Sequence, residues 1–420
     1  MDADNDRCAE HIPFAVIALT FGLFALWGVG HRLYDTLIPQ FTMIFSLQGL
    51  GLALAGGIYS ISYFACAMPA ALCTRRFGYK STIVFGLGIA CVGAFVLYPA
   101  GETQSFPYFI TAAGVMSLGW VLLEVAANPL VIGLGNRENA VQRLNLAQSF
   151  YAPGSLLGLL VGRWLIQTHQ AASAAHLVHS ITHPYIVFAA IILVLAILVE
   201  DAHYPSRATE RVRGLHGVTG ELRELMARPL FLFAVVAQGF SVIVLASTWT
   251  VAPSLFRAAF PPALTVSWGG VAVWSMILFG VGRFLGTGLM SWTSAERMLA
   301  AFSLCGALSS LVAFLVGGPS AAVILLAGNL FMSILWPTIL GIAVRDLGAS
   351  MKIGTALICM GGALGGFAHR LISVYAYPVS PRVGLLVAAS GYVVILEFAR
   401  RCVRADAARE DCLSAATAGR

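Results

Sequence analysis

Long apolar runs separated by short polar stretches are the dominant pattern along the chain. The first run, from Ile12 to Gly30, contains no charged side chain, and comparable runs recur to the end. A bilayer core about 30 Å thick is crossed by roughly 20 apolar residues in a helix, and these runs lack the alternation of membrane-spanning strands. The pattern predicts an all-α membrane protein whose twelve transmembrane helices lie near 12–45, 49–73, 81–99, 106–134, 144–168, 184–200, 229–256, 266–291, 297–316, 319–344, 354–377 and 382–400.

Composition and charge support this topology. Hydrophobic residues make up 59% of the chain and charged residues 10%, whereas soluble domains carry about 25% charged residues; the mean hydropathy is +0.84. With a cytoplasmic N-terminus, nearly all loop Lys and Arg residues are cytoplasmic, and the opposite side holds only Arg257 and Arg382. We therefore expect both termini inside. The net charge of +6 then reflects topology, so we predict no nucleic-acid partner.

Cysteines and histidines give little indication of a metal site. The eight cysteines are scattered and include no C-x-x-C pair, so neither a disulfide framework nor a zinc site is expected. His176, His179 and His183 follow one another in a segment that faces away from the cytoplasm. Their spacing permits a single helical face that binds a metal, but a solvated polar loop is the commoner origin of such a pattern. We predict a loop and no metal.

A polar stretch at 200–229 divides the predicted helices six and six, and the two halves share a short repeat. NPLVIGLGNR in the fourth segment aligns with WPTILGIAVR in the tenth, which pairs Pro129 with Pro337 and Arg137 with Arg345. This organisation resembles the major facilitator architecture of two parallel six-helix repeats, with a substrate site near the midplane. We predict an N-terminal half at 1–200, a cytoplasmic linker at 201–228, a C-terminal half at 229–400 and a cytoplasmic tail at 401–420.

Glycines predict close helix contacts. Gly154, Gly158 and Gly162 fall on one face of the fifth segment, where the lack of a side chain lets another helix approach. Packing is the expected role of most glycines here.

Ionisable residues inside the predicted helices are few, and each is costly in a bilayer unless it faces a partner or a cavity. The acids are Asp35 and Glu124, which the helical rise places near mid-membrane. Removal from water favours the neutral form of a carboxyl group, so either is a candidate proton carrier. The alternative is a fixed ion pair that only joins helices. The available basic partners are Arg32, Arg163, Arg283 and Arg370.

Arg32 and Asp35 are three residues apart, so they share a helical face. An arginine stays protonated and compensates the charge of a nearby carboxylate. One interpretation is a polar clamp for substrate in which Glu124 alone takes up the proton; the other is that Arg32 pairs elsewhere and Asp35 titrates.

Motifs in both halves resemble the fucose–galactose–glucose:proton symporter family. They are DTLIPQF from Asp35, LEVAANPLV around Glu124, QRLNLAQSF around Gln148, GRFLGT around Arg283 and FMSILWPTI around Trp336. The resemblance covers nearly the whole chain. It implies that Asp35 acts in substrate recognition and coupling, that Glu124 carries the transported proton and that Gln148 contacts the substrate.

Departures from the family pattern affect the sugar site. His31 to Tyr34 replace an asparagine-rich sequence, and Tyr151, Leu245 and Leu335 stand where amides are expected. Because sugar hydroxyls are recognised by hydrogen-bond donors and acceptors, fold and coupling carry over better than the identity of the sugar.

We therefore predict a monomeric, multi-pass importer of a bacterial inner membrane that moves a neutral sugar, such as fucose, galactose or glucose, with a proton and no other cofactor. Arg75, Arg76 and Lys80 form a basic cluster between the second and third segments and are predicted to act in gating. Aromatic faces and polar groups suit sugars. The candidates to line the cavity are Trp27, His31, Arg32, Tyr34, Asp35, Tyr59, Tyr63, Trp120, Gln148, Tyr151, Gln238, Trp249 and Trp336.

Three alternatives remain. A uniporter or exporter of the same fold would suit the lost amides. A non-transporting sugar sensor would need an added signalling domain, for which the predicted tail is short. A membrane enzyme would need an acid–base or metal constellation at one membrane face, and the sequence suggests none.

Overall fold

The computed structural model describes residues 13–103, 105–168, 174–204, 217–261, 270–375, 377, 380 and 382–418. These residues form helices and turns and no strand, which confirms the predicted all-α class. The helices are α1 (Phe14–Ile44), α2 (Gly49–Phe77), α3 (Tyr79–Glu102), α4 (Phe106–Gly133), α5 (Ala140–Ser149), α6 (Tyr151–Thr168), α7 (Ala174–Asp201), α8 (Val218–Met226), α9 (Pro229–Ala259), α10 (Val271–Leu289), α11 (Ala295–Val316), α12 (Gly318–Met332), α13 (Leu335–Val344), a 3₁₀ turn (Gly348–Ser350), α14 (Met351–Tyr375) and α15 (Val383–Ala418).

Eleven stretches within the described residues are long and apolar enough to cross a membrane. The predicted segment at 144–168 is not among them, because it consists of α5 and α6, which meet at Phe150. Pro153 lies in the first turn of α6 and has no N–H, so the Ser149 carbonyl loses its usual helical donor. The fifth predicted span is therefore a pair of consecutive helices.

The tenth predicted segment, at 319–344, is also interrupted. Helix α12 ends at Met332 and α13 begins at Leu335. Pro337 has no N–H to donate to the Ser333 carbonyl one turn earlier. Arg283 of α10 supplies the missing donor, because its Nε donates to Ser333 O at 2.7 Å.

Two boundaries differ from the sequence predictions. Helix α7 begins at Ala174, so the predicted loop around the three histidines is wrong; leucine, valine, serine, isoleucine and threonine separate the histidines, and no glycine or proline among them ends the helix. Helix α15 continues to Ala418 instead of ending near 400. The residues beyond 400 are rich in alanine and arginine, which favour helix, and Arg401 Nε donates to Glu397 Oε1 at 2.9 Å one turn earlier.

Contacts divide the chain into two compact units. The first comprises Met1–Val218 and Leu347–Ala356, and the second comprises Thr219–Asp346 and Leu357–Arg420. The division into two halves joined by a linker at 201–228 stays a prediction.

In the first unit, glycines hold α6 against α1. A Cβ added to Gly154 would lie 2.0 Å from the Ala25 carbonyl oxygen, and one added to Gly158 would lie 2.4 Å from the Val29 carbonyl oxygen. Only a residue without a side chain permits such backbone contact. The predicted glycine face of the fifth segment is therefore a helix contact, and it brings the start of α6 beside the middle of α1.

In the second unit, an ion-pair cluster joins three helices. Arg345, directly after α13, lies 2.7 Å from Glu296 of α11 and 3.5 Å from Asp406 of α15. Glu296 is only 1% exposed. Because a buried carboxylate is costly without compensation, Arg345 ties the start of α11 and the end of α13 to α15.

Candidate functional site

A charged cluster occupies the middle of α1. Asp35 Oδ2 lies 3.7 Å from Arg32 Nη1 and 3.6 Å from His31 Nδ1, at the spacings i−3 and i−4 of one helical face. The side chains are 36% exposed for Asp35, 12% for Arg32 and 27% for His31. The structure thus places Arg32 beside Asp35, and it adds His31 to the pair.

Aromatic rings surround this cluster. The His31 ring lies edge-on to the Tyr59 ring of α2, with centroids 4.8 Å apart. The centroid of the Tyr34 ring lies 5.2 Å from that of Tyr59. From α6, Tyr151 packs 4.8 Å from Trp27, and its hydroxyl lies 3.3 Å from His31 Nδ1. Five of the predicted lining residues therefore lie together in one group. Ring faces beside charged and hydroxyl groups form a surface of the kind that binds sugars.

Two other predicted residues of the first unit, Tyr63 and Trp120, are also buried. Tyr63, one turn after Tyr59, is 8% exposed, and Tyr34 donates from its hydroxyl to the Ala55 carbonyl at 2.8 Å. Trp120 of α4 is fully buried, and its ring packs 6.1 Å from Phe188.

Trp120 connects α4 to the α1 cluster. A Cβ added to Gly30 would lie 2.9 Å from Trp120 Cζ2, so the Trp120 ring contacts α1 directly before His31. Glu124, one turn further along α4, is 0% exposed.

Glu124 belongs to a chain of buried amides. Gln148 of α5 donates from Nε2 to Asn128 Oδ1 at 2.8 Å, and Asn128 donates from Nδ2 to Glu124 Oε1 at 3.5 Å. Asn128 is 0% and Gln148 1% exposed. Gln148, expected to contact substrate, thus contacts the amide beside Glu124. Asn128 was not among the predicted site residues, although its place in EVAANP, one turn after the glutamate, is the sequence feature that identifies it.

The second unit contains the remaining predicted lining residues. Gln238 of α9 is 0% exposed, and neither amide atom has a hydrogen-bond partner among the described residues. Trp249, three turns later on the same face, donates from Nε1 to Asn329 Oδ1 at 3.2 Å. Trp336 of α13 packs on α14, because a Cβ added to Gly362 would lie 2.6 Å from its ring. Asn329 was also missed, since its partner is distant in sequence.

The predicted gating residues have three different environments. Arg75, in the last turn of α2, is 5% exposed, whereas Arg76 is exposed and lies 5.4 Å from the centre of the Phe77 ring. Lys80, at the start of α3, donates to the carbonyl oxygen of Glu200 at the end of α7.

No group of histidine, cysteine or carboxylate side chains suited to a metal occurs in the described part of the chain. His183 is exposed and packs 5.1 Å from Tyr98. The side chains of His176 and His179 lie outside the described residues.

Comparisons with known proteins identify the family. Residues 14–368 match the model of the Major Facilitator Superfamily. The chain is 29% identical over 382 residues to the L-fucose-proton symporter of Escherichia coli (strain K12), covering 86% of each protein. It is 29% identical over 366 residues to the glucose/galactose transporter of Brucella abortus biovar 1 (strain 9-941), covering 84% of this chain and 86% of that protein.

Solved structures agree with this assignment. The crystal structure of the major facilitator transporter FucP in the outward conformation superposes with a TM-score of 0.82 at 27% identity, covering 92% of this chain and 98% of that one. The human organic anion transporter MFSD10 (TETRAN) gives a TM-score of 0.70 at 12% identity, which supports the fold alone. The chain belongs to the major facilitator superfamily, and it is a membrane transporter and not an enzyme.

Proposed function

We propose that this protein imports a neutral sugar, a hexose or hexose derivative such as fucose, galactose or glucose, together with a proton. The observation that carries the proposal is Glu124, a carboxylic acid buried in α4 and contacted by an amide, in a chain whose relatives are named as sugar transporters. A buried carboxyl group binds and releases a proton when its polar contacts change. The proton is the coupling ion, and no other cofactor takes part.

The sugar contacts the α1 cluster. Arg32, 3.7 Å from Asp35, compensates the charge of that carboxylate. Together with His31, 3.6 Å from Asp35, the pair offers hydrogen-bond donors and acceptors to the hydroxyl groups of a sugar. Tyr59 and Tyr151 supply ring faces. Gln238, Trp249 and Trp336 remain predicted sugar contacts. In this division of roles Asp35 binds sugar and Glu124 binds the proton.

The surroundings of the protein follow from the same proposal. It lies in a bacterial inner membrane as a monomer, with both termini in the cytoplasm. Arg75, Arg76 and Lys80 form the cytoplasmic gate, at the short turn between α2 and α3. Transport proceeds by alternating access.

Replacement of Glu124 tests the proposal. Glu124→Gln mimics the protonated carboxyl group, so we expect exchange of labelled sugar across proteoliposomes to continue and accumulation driven by a pH gradient to stop. Glu138→Gln, an exposed carboxylate between α4 and α5, is the control and should transport like the unmodified protein.

Uphill accumulation by Glu124→Gln would exclude the role of Glu124. Sugar counterflow that never responds to a pH gradient in the unmodified protein would indicate a uniporter instead.

A further inference from the structure

Two polar networks of the first unit meet at the junction of α5 and α6. One consists of Asp35, His31 and Tyr151, and the other of Glu124, Asn128 and Gln148. Gln148 is in the last turn of α5 and Tyr151 is the first residue of α6. Only Ser149 and Phe150 separate the two networks along the chain.

The orientation of the Asn128 amide is fixed by its neighbours. Since Gln148 donates to Asn128 Oδ1 at 2.8 Å, the Asn128 NH₂ group must face the other way, toward Glu124. The contact from Asn128 Nδ2 to Glu124 Oε1 is 3.5 Å, at the long end of hydrogen-bond geometry. A small displacement of Asn128 therefore makes or breaks this bond.

The backbone hydrogen bonds at the α5–α6 junction are long, while Phe150 stacks on Phe21 of α1 and Ser149 Oγ donates to the Asn145 carbonyl at 2.8 Å. Phe150 N donates to Ala147 O at 3.3 Å, and Gly154 N donates to Phe150 O at 3.3 Å, both longer than ordinary helical bonds. Pro153 gives no donor to the Ser149 carbonyl. Helix α6 itself is held on α1 by Gly154 and Gly158. Because the rest of α6 is fixed on α1, a displacement of Tyr151 at its first residue is taken up at the long bonds of the junction and shifts the end of α5, which carries Gln148.

We infer that Asn128 is a positioning residue that couples sugar binding to proton binding. Sugar binding replaces the contact between Tyr151 and His31, and the α5–α6 junction then shifts Gln148. The shift of Gln148 changes the hydrogen bond from Asn128 to Glu124. This inference rests on the proposed function, because it explains how that function links its two ligands. The bond to Glu124 stabilises the carboxylate, so its loss favours proton uptake when sugar is bound. Transmission by packed and hydrogen-bonded neighbours needs a direct coupling test.

The primary test is Asn128→Leu, which keeps the volume and removes the amide. Asn145→Leu is the matched control, because Asn145 is also 0% exposed and donates to Val141 O at 2.9 Å within its own helix. In proteoliposomes, labelled L-fucose, D-galactose and D-glucose measure sugar exchange without a gradient. A pH electrode measures protons taken up per sugar during sugar-driven influx.

We expect Asn128→Leu to exchange sugar and to lose most of the proton uptake per sugar, because Glu124 no longer changes its hydrogen bond when sugar binds. Asn145→Leu should keep the unmodified ratio. If Asn128→Leu keeps the ratio, or if exchange and proton uptake fall in parallel, the inference is wrong. An unmodified protein that exchanges sugar without taking up protons refutes the proposed function and this inference with it.

Tyr151→Phe tests the other end of the connection, and it decides alone if Asn128→Leu does not reach the membrane. The variant keeps the ring against Trp27 and removes the hydroxyl beside His31. We expect fewer protons per sugar, and no further loss when it is combined with Asn128→Leu, since both act on one connection. An unchanged ratio in Tyr151→Phe, or fully additive losses, would overturn the inference.

Discussion

Replacement of Gly154 by alanine should move α6 away from α1. The added Cβ would lie 2.0 Å from the Ala25 carbonyl oxygen, and an ordinary contact begins at 3.4 Å, so the helices must separate by roughly 1.4 Å. The contact involves backbone on both sides, and no flexible side chain is available to move out of the way. Overpacking of this kind costs about 1–3 kcal/mol, and we expect the upper end of that range.

The same displacement should weaken sugar binding. Tyr151, one turn before Gly154, has its hydroxyl 3.3 Å from His31 Nδ1 of α1. A shift of more than an ångström breaks this contact, because hydrogen bonds weaken steeply beyond about 3.2 Å. Gly154→Ala should therefore lower the melting temperature in detergent by about 5 °C or more and raise the KM for sugar.

Gly88→Ala is the control for this prediction, since an added Cβ at Gly88 of α3 meets nothing within 4 Å. Thermal unfolding in detergent and initial rates of sugar exchange measure the two effects. If Gly154→Ala melts and transports like Gly88→Ala, the close α1–α6 contact is wrong.

Two further predictions concern the charged clusters. Asp35→Asn should raise the KM for sugar about tenfold and keep the number of protons per sugar, because a charge-assisted contact is removed from the binding cluster only; a lost ratio with normal KM would contradict the clamp. Arg345→Ala should cost about 3–5 kcal/mol, because Glu296 loses a compensating charge at 2.7 Å. Adding Glu296→Gln should restore most of the melting temperature, and equal melting of the single and double variants would contradict this account.

The hydropathy pattern was sufficient to predict the all-α class and most of the membrane-spanning helices. Backbone N–H and C=O groups must form hydrogen bonds within the protein when they lie in lipid, and few structures other than helices meet this requirement. It did not predict the interruptions at Phe150 and at Ser333. Apolar residues continue through both, and the cause is local: Pro153 and Pro337 each remove one helical donor. At Ser333 the replacement donor is Arg283 of another helix. The interruption of the helix is therefore stabilised by a tertiary contact, which a hydropathy pattern cannot predict.

The candidate site was predictable to the extent that its contacts are local. The spacing of Arg32 and Asp35 predicts their common face directly, and the structure places each of Arg32 and His31 within 4 Å of Asp35. The contact of Gln148 with Asn128 joins residues twenty positions apart on different helices, so no periodicity indicates it. The basic residues of the α2–α3 turn appeared as one cluster in sequence, yet burial of Arg75 and exposure of Arg76 separate them.

Asp35 and Glu124 differ in the way their surroundings respond to a ligand. Asp35 is 36% exposed and has a guanidinium and an imidazole within 4 Å, so its charge is compensated whether or not sugar is present. Glu124 is 0% exposed, and one of its contacts is a long bond from the neutral amide of Asn128, whose position depends on Gln148. The proton affinity of a carboxylate beside a fixed cation changes little when a neutral molecule binds nearby. The proton affinity of a carboxylate beside a movable amide changes by the free energy of the hydrogen bond that is made or lost. A neutral sugar can influence proton binding through Glu124 far more readily than through Asp35, which is the physical basis for assigning the proton to α4 and the sugar to α1.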